Sequence, residues 1–122
     1  MSAGRQHADL SPHRWAAFPF PQQVLMIGNE MNRGLFHVDC RAWERARASY
    51  ERALNLVDLT VDLPVARSRR RELLRWRDVV AALYLAGAPA VDAHVEGFRC
   101  LLLLTPESSR RIAELPALAR RG

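Results

Sequence analysis

Apolar side chains recur along this chain in steps of three and four, the spacing that gathers one face of an α-helix. Val24, Ile27, Met31, Leu35 and Val38 form the first stripe and predict a helix over residues 22–38. Trp43, Ala46, Tyr50, Ala53, Val57 and Val61 form a second over 41–63, stopped by Pro64. Leu54, Leu56, Leu59 and Leu63 nearly surround its C-terminal half with apolar groups, which predicts a central place in the core. Asp39 is expected to cap this second helix across a tight antiparallel connection. Leu73, Leu74, Trp76, Val80, Leu83 and Tyr84 supply the buried side of a third helix over 68–86, ended by Gly87. A fourth is expected over 90–104. Gly97 at its middle costs about 1 kcal/mol against alanine, so a short strand through 98–104 is the alternative. Thr105-Pro106-Glu107 then has the form of N-cap, first position and acidic first turn of a last short helix ending at 115.

The flanks lack this periodicity. Residues 1–21 form a loosely ordered arm in which Ser11-Pro12 caps one helical turn. Phe18-Pro19-Phe20-Pro21 blocks helix propagation, because proline disfavours helical backbone at its predecessor, and Trp15, Phe18 and Phe20 pack the arm over the rest. Residues 116–122 are expected to fray. No Asn-Gly or Asp-Gly hairpin signal interrupts the helical pattern. The fold class that follows is all-α. It is an up-and-down helical bundle of about four main helices with a short extra C-terminal helix, forming one domain over 22–115.

Within it, Gly34 on the first helix and Ala46, Tyr50 and Ala53 on the second alternate small and aromatic groups through the run Ala46-Arg47-Ala48-Ser49-Tyr50-Glu51-Arg52-Ala53-Leu54. The stretch 34–54 resembles a single tetratricopeptide-type helical hairpin. His37 stands where that family usually carries tyrosine, and no second copy follows at the family's period of about 34 residues. The resemblance implies peptide or protein binding in a concave groove.

Composition narrows the function classes. The chain has 122 residues, a formal net charge of +5, and arginine as its only cationic residue besides histidine. Its longest apolar stretches, 79–86 and 100–104, are far below the roughly 20 residues of a membrane span, and the first residues carry no signal-peptide pattern. A cytoplasmic protein with Cys40 and Cys100 as reduced thiols is therefore expected, with no membrane partner. Positive charge crowds at Arg67, Arg69, Arg70, Arg71, Arg75 and Arg77, offset only by Glu72 and Asp78. Such a basic end invites RNA, DNA or phosphate, although pairing with Glu44, Glu51, Asp58 or Asp62 on the preceding helix would occupy the same arginines.

Catalytic signals are sparse. No G-x-S-x-G, phosphate-cradling glycine loop or H-E-x-x-H motif occurs. Glu30, Arg33 and His37 fall on one face opposite the first apolar stripe, where a histidine beside a carboxylate could transfer protons; a solvated face of ordinary ion pairs is the plainer expectation. His37, Cys40, His94 and Cys100 are a chemically possible zinc set, but no C-x-x-C spacing supports it, and no metal or cofactor is expected. Leu101, Leu102, Leu103 and Leu104 cover more of a helix than one bundle face can hide, which predicts an apolar interface and a homodimer. The expected function is thus a non-enzymatic protein–protein interaction or self-association module, with nucleic-acid binding through residues 67–77 as the alternative.

Overall fold

The computed structural model describes residues 11–115; the expected fraying of 116–122 and the start of the N-terminal arm lie outside them. The helices are α1 (Pro12–Ala16), α2 (Phe20–Asp39), α3 (Trp43–Val61), α4 (Arg67–Ala86), α5 (Val91–Leu102) and α6 (Pro106–Ser109), followed by a 3₁₀ segment, Arg110–Glu114. Among the described residues there is no strand. The four long helices form a ring: α2 packs on α3 and α5, and α4 closes the square against the same two. The all-α up-and-down bundle is the fold of the protein.

The apolar stripes meet at its centre. Val24, Ile27, Met31, Leu35 and Val38 of α2 join Ala46, Tyr50, Ala53, Leu56 and Val57 of α3 in one core, with Trp76, Val80 and Leu83 entering from α4 and Val95, Phe98, Leu101 and Leu102 from α5. Leu74, expected inside, is 45% exposed, because the inward stripe of α4 is only Leu73, Trp76, Val80 and Leu83. α5 is helical through Leu102, so the strand alternative is overturned. Its glycine serves close packing instead. The Gly97 carbonyl accepts from Trp76 Nε1 at 2.8 Å, and a Cβ there would stand 3.2 Å from Leu83 Cδ1 and 3.3 Å from Val79 Cγ1.

The arm is better ordered than expected over residues 11–21. Ser11 caps α1 by accepting from the Arg14 amide, and Trp15 is fully buried with its indole N–H donating to Thr60 Oγ1 at 2.9 Å. Pro21 does not block α2. It sits in the helix's first turn, where its missing N–H costs no intrahelical bond.

The α2–α3 connection also differs. Asp39 is the last residue of α2 rather than a cap. The chain reverses through Arg41 at φ 58°, with Ala42 N–H bonded to His37 O at 2.8 Å and Arg41 N–H to Val38 O at 3.1 Å. This is a Schellman closure with arginine in the left-handed position that glycine usually takes.

Candidate functional site

The six arginines of α4 divide into two sets. Arg70 donates from Nε to Val61 O and from Nη2 to Leu63 O, at 3.1 and 2.9 Å, satisfying the open carbonyls where α3 ends. Arg77 grips both oxygens of Asp58, at 2.7 and 3.3 Å, and that hydrogen bond raises its already high pKa further. Arg69 lies 4.0 Å above the Phe20 ring, a cation–π contact. These three have structural work within the molecule.

Arg67, Arg71 and Arg75 are exposed and, among the described residues, have no hydrogen-bond, ion-pair or ring partner. Their spacing is i, i+4, i+8, so at 1.5 Å rise per residue they form a row about 12 Å long with steps of about 6 Å. At 100° per residue the row points away from Leu73, Trp76, Val80 and Leu83, straight out from the core. What reads in sequence as a diffuse basic end is, in the folded chain, a line of three free guanidiniums. Asp78, one of the two acids that offset the cluster in the sequence, follows on the same side one turn later.

A second polar group lies inside the bundle. Glu30 is only 4% exposed. It accepts from Arg52 Nε at 2.8 Å and from Arg33 Nη1 at 2.9 Å, while Arg52 also donates to Ser49 Oγ at 3.2 Å. The expected solvated Glu30–Arg33–His37 face is thus corrected: Glu30 turns inward between α2 and α3, and His37 instead lies against Phe36, ring centroids 5.7 Å apart. The sequence-level signal was faint, because α2 buries a sector broad enough to include Gln23, Gly28, Glu30 and Gly34 beside its apolar stripe.

His94 is buried completely. Its Nε2–H donates to the Met31 carbonyl at 2.8 Å, so Nδ1 is the acceptor for the Tyr50 hydroxyl at 2.7 Å. Burial lowers the histidine pKa and raises that of the tyrosine, holding both neutral. One bond chain therefore ties α2, α3 and α5 together.

Both ring nitrogens of His94 are engaged and so are not free for a metal, while His37 and Cys40 sit at the α2–α3 turn. Burial also raises the pKa of the Cys100 thiol, against the thiolate that a metal takes. Among the described residues, no group of three or more such side chains could hold a metal ion. Arg47 and Glu51, one turn apart on α3, are bridged by Tyr84, whose hydroxyl accepts from Arg47 at 3.2 Å and donates to Glu51 at 2.9 Å.

Leu101 and Leu102, expected at an interface, are 0% and 3% exposed in the chain's own core. Leu104 is half-buried, and Leu103 alone of the four is exposed, at 55%. A cleft of about 190 Å³ opens between α2, α5 and the 3₁₀ segment, lined by Leu25, Gly28, Asn29, Asn32, Phe98 and Leu102 and by Arg111 and Glu114. Beyond those last two, it reaches none of the titratable groups above.

No helix is long and apolar enough to cross a membrane among the described residues. No protein-family model, curated protein or solved structure matches this chain.

Proposed function

We propose that the chain binds nucleic acid through the outward face of α4. The observation that carries this is the placement of charge. Residues 67–78 hold six arginines against Glu72 and Asp78, a net +4 of the chain's +5; the other twelve arginines face eleven acids. A composition rich in arginine everywhere would not by itself concentrate the excess on one helix. Three of those side chains project from the bundle with no ion-pair partner among the described residues, and row-against-row pairing of two copies would set like charges together. A polyanion relieves that repulsion.

Fluorescence anisotropy of labelled nucleic acid at low salt tests the reading. The wild type should bind, and the combined Arg67→Gln, Arg71→Gln and Arg75→Gln variant should lose most of the affinity while unfolding at the wild-type temperature, since the row makes no hydrogen bond, ion pair or ring contact among the described residues. Absence of binding by the wild type rejects the proposal.

A second reading, a protein-binding or self-associating module, draws on Leu85 at 79%, Phe36 at 66% and Leu103 at 55% exposure, and on the tetratricopeptide-like form of the hairpin. With Leu101 and Leu102 in the core, the leucine run no longer favours it. Light scattering on a size-exclusion column that finds only monomer would remove the homodimer.

A further inference from the structure

We infer that the partner is a double-stranded nucleic acid, held by Arg67, Arg71 and Arg75 on the phosphates of one strand, with Asp78 ending the contact; this rests on the nucleic-acid reading of α4. Proteins that take single strands offer a groove and exposed rings on which bases stack. α4 offers neither. Its row points away from the bundle core, and the rings on or beside the helix are engaged. Phe20 lies under Arg69, Trp76 is buried with its N–H on Gly97 O, and Tyr84 sits between Arg47 and Glu51.

Three arginines at an axial rise of about 6 Å per step along one helix present a regular row of charge, which matches a regularly charged duplex better than a flexible strand. Neither Asn nor Gln lies on α4, so the pairing of an amide with adenine is missing; the inference assigns the three arginines to backbone phosphates. Asp78 closes the row. Its carboxylate makes no hydrogen bond or ion pair among the described residues, feels only the Coulombic attraction of Arg77 beside it, and would face the next phosphate.

The salt dependence counts the contacts. Three neutralised phosphates give a log–log slope of about −2.7, a fall of about 40-fold between roughly 50 and 200 mM salt. Arg71→Gln should make the slope shallower by about one. Asp78→Asn should raise duplex affinity about threefold, the effect of removing one unit charge about 6 Å away in water.

Short duplexes of DNA and of RNA are compared with the corresponding single strands by anisotropy across this salt range. Tighter binding to either duplex than to its strands, with the slope responding to Arg71→Gln, is the expected result. Tighter binding to single strands, or a slope indifferent to Arg71→Gln, overturns the inference while leaving nucleic-acid binding in place. No binding of any of the four probes at low salt overturns both.

Discussion

α2 and α4 have the same length, 20 residues, and opposite relations to the core. α2 buries nine of its residues, including Glu30 and two glycines, because it packs on α3 and α5 and also meets α6. α4 buries four, one narrow stripe. Burial dictates what each can carry. A charge placed inside α2 must find partners, since an unpaired ion in the interior is costly, and Glu30 has an arginine on each oxygen. A charge on the outer side of α4 meets water and needs none. Most of the surface of α4 is therefore free of folding constraints, and that is where the molecule's surplus charge stands.

The largest expected effect tests this contrast from the α2 side. Glu30→Ala leaves Arg52, whose side chain is 20% exposed, without its carboxylate in a tight space. Removing one partner of a buried pair costs about 3 kcal/mol, seen as a lower urea midpoint. Arg71→Gln on α4 should change stability by less than about 0.5 kcal/mol. A Glu30→Ala cost no larger than that would break the contrast.

Two glycines of α2 sharpen it. A Cβ on Gly34 would stand 2.9 Å from Cε1 of His94, and that ring cannot retreat because both nitrogens are bonded. Gly34→Ala should therefore destabilise by about 2 kcal/mol, the usual scale for overpacking. At Gly28 the nearest atom to an added Cβ is Phe98 Cε1 at 3.5 Å, an ordinary contact. Gly28→Ala should instead stabilise, by up to about 1 kcal/mol, through helix propensity. Thermal unfolding of the two variants separates the predictions by sign.

His94 gives a smaller, pH-dependent effect on the same side. Its folded pKa lies below the ordinary 6.5 because burial opposes the imidazolium, so unfolding takes up a proton below that pH. The stability contributed by keeping the ring neutral is complete above about 6.5 and is lost as pH falls from there toward the folded pKa. The slope is at most about 1.4 kcal/mol per pH unit. Urea midpoints should drop between neutral and mildly acidic pH. A His94→Gln variant, though weaker overall, should lack this group's share of the drop; an unchanged slope would show that other groups produce it.

The bundle was legible in the sequence because its evidence is repetitive. The stripes of α2 and α3 each offer five or more apolar residues at helical spacing, and Thr105-Pro106 announces its cap, with the threonine accepting from the Ser108 amide as expected. The polar interior was not legible. Glu30–Arg52 and His94–Tyr50 join residues 22 and 44 apart in the chain, and no local pattern distinguishes a buried glutamate from a solvated one. Arg41 was hidden for a different reason: an arginine in left-handed backbone carries no residue signature, whereas Asp39 resembles a cap. The basic end was visible as a cluster, but only the partners of Arg69, Arg70 and Arg77 reveal which three of the six remain free. The leucine run misled because α5 is approached on two sides, by α2 and α4, which together bury more of its circumference than one face.

The smallest expected effect concerns Leu85, exposed by 79% on the same side of α4 as the arginine row. If α4 is a helix whose outer side has no structural duty, Leu85→Gln should leave stability within about 0.5 kcal/mol of the wild type, at low and high protein concentration alike. A side chain buried against a second copy would behave otherwise. Its polar replacement would then cost more than 1 kcal/mol, and the loss would appear only at concentrations where the wild type associates, because association adds stability by mass action. Concentration-dependent unfolding of this one variant thus distinguishes a helix turned to water from a helix turned to a neighbour. A charge row that awaits a polyanion requires the former.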